Sequence, residues 1–275
     1  MTRAELQDQA IEPASATRRR SSAGLGRTVL RLLVRLVLVI VVLAAVWQAV
    51  VSIFGVSSFV LPAPGDVLSD AQWSQVADAT KSSIFRIIVG FTVGNLVGVL
   101  LALLSVASPF FSALLYPFAL SFRSIPIIAL APFITLALGR GLLAIMLITT
   151  MLVFFPTYVN VSLGLRSVDR QLLELMRVLN CPTREVFYRV RFPAALPYLM
   201  SALRIAAPTA VLGVLIGEWV IGTNGLGKLI LDDSINLDLP TMWGGVLVAA
   251  ALSLFAFAGV GLVERRVLSW RHQSQ

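Results

Sequence analysis

The sequence predicts an all-α protein that crosses a membrane several times. Hydrophobic residues make up 57% of its 275 residues and charged residues only 13%, and the mean hydropathy is +0.88. Apolar stretches long enough to cross a hydrocarbon core of about 30 Å recur along the chain. Arginines cluster in the connections between them. These observations indicate a polytopic membrane protein with about six transmembrane helices.

The N-terminal part of the chain divides into three segments. Residues 1–27 are polar and lack apolar periodicity, so we expect a disordered cytoplasmic tail. Residues 28–54 are predicted to form the first transmembrane helix, because the apolar region of a signal peptide, the other interpretation, would be shorter. Residues 55–82 contain the helix-breaking run Leu-Pro-Ala-Pro-Gly and an amphipathic segment, and we expect this connection to be extracytoplasmic.

Five further apolar stretches lie within residues 83–265, the predicted membrane core. They cover about 83–106, 110–138, 141–165, 195–221 and 241–263. An arginine-rich loop at 166–193 separates the fourth span from the fifth, and residues 266–275 form a second tail. We expect this loop and both tails to be cytoplasmic, because most Lys and Arg residues then lie on the side that the positive-inside rule requires.

The distribution of charge argues against nucleic acid as a partner, and the residue composition argues against a metal site. The net charge is +8, but the basic residues are spread over several loops and match no nucleic-acid-binding motif, which argues against nucleic acid. The chain has one cysteine, Cys181, and one histidine, His272, which lies in the tail. One cysteine and one histidine are too few to form a metal site built from Cys and His.

The loop at 166–193 is the most informative stretch. It contains Glu174-Leu175-Met176, then Asn180, then Val190-Arg191-Phe192-Pro193. Its polarity predicts two short helices joined at residues 180–182, with Pro182 in the first helical position of the second. The loop carries more apolar side chains than a simple return of the chain needs, so we expect it to bury them against a partner. A basic amphipathic helix lying on the membrane surface would match the same pattern.

Three charged residues fall inside apolar spans and must avoid lipid. Arg204 is interpreted as a side chain that extends to the membrane surface from the cytoplasmic end of the fifth span. For Glu218 two hypotheses stay open. It forms a salt bridge with Arg123, or it lines the substrate path together with its neighbour Trp219.

Prolines predict a broken span near the middle of the core. Pro126 and Pro132 both follow Arg123 closely, and each removes a backbone hydrogen bond from a helix. Broken helices at membrane depth are tolerated where the freed backbone is buried or lines a cavity. The segment is therefore a candidate for the translocation path, and a kink that serves packing alone is the other interpretation.

The stretch Gly222–Lys228 superficially matches a phosphate-binding loop, with Gly, four residues, Gly and Lys. Leu229 stands where Ser or Thr would bind magnesium, and the segment follows an apolar helix instead of a strand. We therefore interpret these glycines as a tight turn between the last two spans and expect no nucleotide site in the chain.

The spacing in the 166–193 loop resembles the EAA signature of ABC importer permeases. In that signature Glu-Ala-Ala is followed after three residues by Gly, and after nine more by Ile-x-Leu-Pro. Leu175 and Met176 replace the alanines, and Asn180 replaces the glycine. Asn is the non-glycine residue that most readily adopts a left-handed conformation at a helix end.

Other stretches between about residues 60 and 271 resemble the nitrate/sulfonate/taurine branch of these permeases. Gly217-Glu218-Trp219 followed by Gly222 is closer to members proposed for heterocyclic or aromatic solutes such as pyrimidine precursors or flavins. The remaining stretches are Leu61–Pro64, Ser83–Arg86, Arg123–Pro126, Leu130–Pro132, Gly225–Gly227 and Glu264–Trp270.

The resemblance implies a type I ABC importer permease fold in the plasma (inner) membrane, with no enzymatic activity of its own. It implies a homodimer around a central path, surrounded by membrane lipids. ATP and Mg would be bound by two cytoplasmic ATPase subunits, each holding one 166–193 loop, and an extracytoplasmic solute-binding protein would deliver the solute. The implied coupling residues are Glu174, Leu175, Met176, Asn180, Val190, Phe192 and Pro193, and the path candidates are Arg123, Pro126, Pro132, Glu218 and Trp219.

Two other functional classes fit the sequence less well. An ion-coupled secondary transporter would use intramembrane carboxylates and often shows internal repeats, whereas Glu218 is the one acid within a span and no repeat is evident. A membrane-bound enzyme would need a nucleophile, a base or a metal cluster, and the sequence offers none of these constellations.

Overall fold

The computed structural model describes residues 22–269, with side chains from residue 38 onward except those of residues 122–124. The described residues form α-helices and one π-helical turn, without a strand, which confirms the predicted all-α class. The chain divides after Val56 into two units. Helix α1 (Ser22–Phe54) belongs to the first unit and contains the predicted span at 28–54. The first helix begins at Ser22, inside the tail predicted over 1–27, and the last helix extends to Val267, inside the tail predicted over 266–275. Residues 1–21 and 270–275 of these tails lie outside the described residues.

The second unit contains ten α-helices within its described residues. Its chain order is α2 (Pro64–Asp70), α3 (Trp73–Ala107), α4 (Pro109–Ser124), α5 (Ile127–Leu138), α6 (Leu142–Arg166), α7 (Arg170–Val178), α8 (Thr183–Val186), a π-helical turn (Phe187–Arg191), α9 (Phe192–Ile221), α10 (Leu226–Asn236) and α11 (Leu239–Val267).

Four described helices are long and apolar enough to cross a membrane: α3, α6, α11 and the continuous helix Thr183–Ile221 that ends with α9. The shorter apolar helices are the described part of α1, α4 and α5, so the sixfold count stays a prediction. Helix α3 begins at Trp73, ten residues before the predicted span. No proline interrupts residues 73–107, so the amphipathic segment expected before residue 83 continues into the membrane helix.

Glycines bring α3 and α6 into close contact. Gly90, Gly94 and Gly98 follow one another at intervals of four residues and face Thr149, Val153 and Thr157. A Cβ atom added at Gly94 would lie 2.6 Å from Val153 Cβ. Small residues at this spacing let membrane helices approach closely enough to pack backbone against backbone. Because the contacts advance in the same direction on both helices, α3 and α6 run parallel.

Helix α9 packs on α6 in the opposite direction. Gly217 faces Ile145 near the start of α6, and Gly213 faces Thr149 one turn further on. Near the other end of α6, Gly164 faces Ala195 and Tyr198. The end of α6 therefore lies beside the beginning of α9, and the loop at 167–191 connects two helices that are already in contact.

A buried hydrogen bond adds specificity to this apolar packing. The Thr157 hydroxyl donates to the Asn95 side-chain oxygen over 2.6 Å, which links α6 to α3. Both residues are buried. A satisfied polar pair between membrane helices fixes their register, because any slip would leave a polar group unpaired in an apolar interior.

The predicted break in the proline-rich span is confirmed. Helix α4 ends at Ser124 and α5 begins at Ile127, with Pro126 as its N-cap residue in an extended conformation. Pro132, in contrast, stays inside α5 without ending it. The Thr135 hydroxyl, one turn further along the same helix, donates to the Pro132 carbonyl over 2.8 Å.

The close approach of α3 and α6 predicts that Gly94→Ala destabilises the protein by about 1–3 kcal/mol, since the added methyl group overpacks the contact with Val153. The measurement is thermal unfolding of the purified chain in detergent. Gly259→Ala on α11 is the matched control, because a Cβ there meets no atom within 4 Å. Equal losses of melting temperature in the two variants would contradict the packing role of Gly94.

Candidate coupling loop and solute path

Helix α7 presents an apolar face that nothing in the described structure covers. Leu175, Val178 and Leu179 expose 53%, 82% and 62% of their surfaces. The helix is capped by Asp169, whose carboxylate accepts a hydrogen bond from the Gln171 amide over 2.9 Å. Local signals thus form α7 independently of tertiary contacts, and its apolar face remains available for a partner.

Glu174, Leu175 and Met176 lie on the same helix with different surroundings. The Glu174 carboxylate pairs with Arg170 one turn earlier, over 2.9 Å, and both side chains are exposed. Leu175 points outward and Met176 is half-buried. Because an exposed pair of this kind contributes little to stability, Glu174 is free to exchange Arg170 for another partner.

Asn180 ends α7 in the left-handed conformation that the sequence predicts, with φ of 54°. The Asn180 amide donates to the Arg177 carbonyl over 2.9 Å, and the Cys181 amide donates to the Met176 carbonyl over 3.0 Å. These two bonds form a Schellman motif, which satisfies carbonyl groups that the helix end would otherwise leave unpaired.

The second half of the loop differs from the prediction of a separate short helix. Pro182 is the N-cap residue of α8 and not its first helical residue. Helix α8 then continues through the π-helical turn into α9, where the Phe192 amide donates to the Phe187 carbonyl. Pro193 explains the wider turn, because it lacks an amide hydrogen and its ring displaces the preceding carbonyls. Val190 therefore lies in the π-helical turn, and Phe192 and Pro193 begin α9.

Arg166 ties the end of α6 to the junction between α3 and α4. Its Nη2 donates to the Ser105 carbonyl over 3.1 Å and to the Ser112 hydroxyl over 2.8 Å. In the sequence, charge alone does not distinguish Arg166 from the many other arginines at a membrane boundary. Its position as the last residue of a span is the signal that could have found it.

The break between α4 and α5 borders a cavity of about 660 Å³. Pro126 lines it, while Pro132 and Trp219 are exposed elsewhere on α5 and α9. Asn160 and Thr209 supply polar groups in an otherwise apolar wall. The side chain of Arg123 lies outside the described residues. The complete lining is Ile125, Pro126, Ile127, Ile128, Met151, Leu152, Phe155, Pro156, Val159, Asn160, Ile205, Thr209 and Ile216.

Glu218 is fully buried and forms an ion pair with Arg86 of α3, with 2.6 Å between Nη1 and Oε1. The Ser83 hydroxyl lies 2.9 and 2.8 Å from the two carboxylate oxygens, and the Gly227 amide donates to Oε2 over 3.0 Å. The structure thus gives Glu218 an ion-pair partner, Arg86, that differs from Arg123, the partner suggested by the sequence. The structure leaves no oxygen of this carboxylate without a donor.

Residues 94–269 match the model of a family described as the binding-protein-dependent transport system inner membrane component. The chain belongs to this family. It is therefore a multi-pass membrane permease of the ABC importer class, which confirms the resemblance seen in the sequence.

Three relatives of this permease illustrate the branch. The formylaminopyrimidine transport permease protein ThiX of Halalkalibacterium halodurans is 30% identical, over 83% of this chain and 92% of the relative. The putative aliphatic sulfonates transport permease protein SsuC of Bacillus subtilis is 28% identical, over 84% and 85%. The riboflavin transport system permease protein RibX of Chloroflexus aurantiacus is 27% identical, over 84% and 88%.

Solved structures share the fold of this permease. An inward-facing structure of the MetNI methionine ABC transporter aligns with a TM-score of 0.54 and 24% identity, covering 73% of this chain and 96% of that one. An amino acid ABC transporter crystallised with histidines aligns with a TM-score of 0.55 and 16% identity, covering 70% and 94%. At these identities the likeness shows the fold alone.

The glycine-rich stretch after Glu218 ends one helix of the permease and begins another. Gly222 terminates α9 in a left-handed conformation with φ of 74°. Gly225 and Gly227 lie so close to the Glu218 carboxylate and the Leu215 carbonyl that neither position has room for a Cβ atom. The predicted tight turn between the last two spans is therefore present, and it is followed by α10, which the sequence did not predict and which precedes α11.

Arg204 of the permease also has a partner that the sequence did not reveal. Its guanidinium pairs with Glu264 of α11 over 3.3 Å and stacks on the Phe257 ring at 4.3 Å from the centroid. This contact links α9 to α11, and the extension of Arg204 to the membrane surface stays a prediction. Because α9 and α11 are antiparallel, they bring Arg204 and Glu264 together although these residues are 60 positions apart in the sequence.

Carboxylates gather around α10 at the end of the permease opposite the coupling loop. Asp78, Asp232 and Asp233 line a cavity of about 350 Å³ there together with Lys228. Burial, followed by the nearby charges of Asp238 and Asp232, raises the pKa of Asp233 above its ordinary value. This end of the molecule therefore concentrates carboxylates on α3 and α10.

The buried network predicts that Glu218→Gln and Arg86→Gln each destabilise the permease by about 3–5 kcal/mol, because each leaves an uncompensated buried partner. The double variant should recover part of the loss in a double-mutant cycle measured by thermal unfolding. The pair Arg204–Glu264 is the matched control, since its side chains are 44% and 23% exposed against 17% and 0% for Arg86 and Glu218. Equal costs for the two pairs would refute the structural role of the buried network.

Proposed function

We propose that this permease forms the translocation path of an ATP-driven importer and that residues 167–191 dock a separate ATPase subunit. The observation that supports this proposal is the uncovered apolar face of α7, formed by Leu172, Leu175, Val178 and Leu179. An exposed apolar helix face bounded by charged residues suits burial in a groove of a partner protein. ATP and Mg would be bound by that partner, with no catalytic group supplied by this chain.

The connection of the loop to the membrane helices supports a role in coupling. Helix α6 enters the loop and α9 leaves it, and Gly164 packs directly against Ala195 and Tyr198 at the point where both helices begin to part. A displacement of the loop therefore moves α6 and α9 together. Because both helices line the cavity beside the α4–α5 break, movement of the loop would change the shape of the path.

The proposal places the coupling loop and both chain termini in the cytoplasm and α10 on the extracytoplasmic side. Two copies of this permease would enclose the path, each bound to one ATPase subunit. A solute-binding protein would deliver the solute to the α10 side. The cycle is alternating access, in which ATP-driven association of the ATPase subunits opens the path outward.

The solute proposed for this importer is a small compound of the classes named for its relatives, a heterocyclic or aromatic compound or a sulfonate. The mainly apolar wall of the 660 Å³ cavity, with Asn160 and Thr209 as polar groups, suits a flat heterocycle best. The alternative of ion-coupled transport has no support from Glu218, because Arg86, Ser83 and Gly227 already occupy its carboxylate.

Docking through α7 predicts that Val178→Asp weakens copurification of the ATPase subunit by at least about tenfold while the permease remains folded, because an unpaired charge replaces an exposed apolar contact. Glu174→Arg should weaken it as well. Glu185→Gln is the control, since Glu185 also pairs with an arginine one turn away in the same loop, over 3.4 Å. Wild-type ATPase binding by both Val178→Asp and Glu174→Arg would remove α7 from the interface.

The left-handed turn at the end of α7 generates a second prediction. Asn180→Gly should retain ATP-coupled uptake in proteoliposomes, because glycine adopts a φ of 54° without strain. Asn180→Val should lose most of it, since branching at Cβ disfavours this conformation and would unwind the Schellman motif. Uptake that falls equally in both variants would show that the Asn180 side chain, and not the backbone turn, is required.

A further inference from the structure

A second cavity, of about 540 Å³, lies between the last turn of α3 and the inner side of the coupling loop. Its lining combines an apolar wall with three arginines. The apolar residues are Leu103, Val106, Ala107, Leu173, Val186 and Phe187, and the arginines are Arg177, Arg184 and Arg191. Cys181 and Thr183 complete it. Nothing in the proposed docking of the ATPase uses this cavity.

The three arginines differ from the other arginines of the loop in their electrostatic surroundings. Arg170 and Arg189 each pair with a carboxylate, over 2.9 and 3.4 Å. Among the described residues, no carboxylate lies within ion-pair distance of Arg177, Arg184 or Arg191. Arg184 instead lies over the ring of Tyr188, 5.8 Å from the centroid. The cavity therefore concentrates positive charge that the protein itself does not neutralise.

The cavity lies at the level of a membrane surface. Helix α3 is a membrane-crossing helix that ends at Ala107, and Leu103, Val106 and Ala107 form its last turn. This turn supplies the apolar wall, and the loop beyond the end of the helix supplies the guanidinium groups. An apolar wall on the membrane side and cations on the aqueous side match the two ends of a phospholipid.

The cavity and the exposed apolar face of α7 lie on opposite sides of this helix. Leu173 and Arg177 are four residues apart and line the cavity from one side of the helix. Leu172, Leu175 and Leu179, at intervals of three and four residues, form the exposed side. A partner on the outer side of α7 and a ligand on its inner side can therefore bind together.

We propose that this cavity binds one anionic phospholipid. Arg177, Arg184 and Arg191 hold the phosphate of its head group by charge-assisted hydrogen bonds, and one acyl chain lies against Leu103, Val106 and Phe187. The lipid bridges the end of α3 and the coupling loop. This site depends on the cavity and its charges and would exist whether or not α7 docks an ATPase.

The first test measures phosphatidylglycerol binding to the purified permease, with its copurified subunits, by native mass spectrometry. Arg177→Gln/Arg191→Gln should bind this lipid roughly 25-fold more weakly than wild type, about fivefold for each guanidinium removed. The matched control Arg170→Gln/Arg189→Gln removes the same charge from the same loop outside the cavity, and should bind like wild type. Phosphatidylcholine should bind weakly to all three proteins.

Three results would overturn the proposal. An equal loss in the control variant would show that the net charge of the loop attracts lipid without a specific site. Displacement of phosphatidylglycerol by millimolar inorganic phosphate would assign the cavity to a free anion. Failure of the wild-type complex, with its ATPase subunits bound, to bind phosphatidylglycerol would assign the cavity to the protein interface.

A second test uses the one cysteine of the chain, and its first comparison needs only the wild-type protein. Cys181 lines the cavity and is half-buried. In nanodiscs, an uncharged maleimide should label wild-type Cys181 more slowly in phosphatidylglycerol than in phosphatidylcholine. The difference should vanish in Arg177→Gln/Arg191→Gln and persist in Arg170→Gln/Arg189→Gln. Equal labelling rates of the wild type in both lipids would reject the site.

Discussion

The close packing of α6 against both α3 and α9 is the constraint on which the rest of this permease depends. Gly94 and Gly98 on α3 and Gly213 on α9 leave no room for a side chain at their contacts with α6. Apolar side chains gain nothing by leaving lipid, so van der Waals contact between closely spaced backbones must hold these helices together. The orientation of every other element follows, because α6 fixes where the coupling loop begins and α9 fixes where it ends.

That constraint makes the coupling loop a rigid connection to the membrane helices. The loop joins helices that touch at Gly164, and its second half continues through a π-helical turn into α9 without a flexible hinge. Arg166 fastens the other stem to the start of α4 through Ser112. A force applied to α7 would therefore reach α6 and α9, which line the cavity at the broken span, and α4, the first half of that span. Helix α11 stays attached to α9 through Arg204 and Glu264.

Local signals in the sequence predict the helices, the break at Pro126 and the left-handed Asn180, because hydropathy, proline and backbone preference act over a few residues. Contacts between distant segments escape the same reasoning. Glu218 could be recognised as a residue that must avoid lipid, but its partner Arg86 is 132 residues away and stands near the polar end of α3, where a cation needs no explanation. Pro126 and Pro132 look alike in sequence, and only the tertiary surroundings determine which one ends a helix.

The buried network at Glu218 explains how a membrane protein tolerates a break after α9. The chain must reverse at Gly222 and start α10, which leaves the first amides of α10 without helical partners. The Ser83 hydroxyl accepts from the Leu226 amide over 2.8 Å, and the Glu218 carboxylate accepts from the Gly227 amide. The negative charge of Glu218 is favourable at the N-terminus of α10. Arg86 neutralises this buried carboxylate and also donates to the Asn224 carbonyl. The acid that looked like a path residue thus satisfies the backbone where two helices meet, and the solute path that we propose is left to the mainly apolar surfaces of α5, α6 and α9.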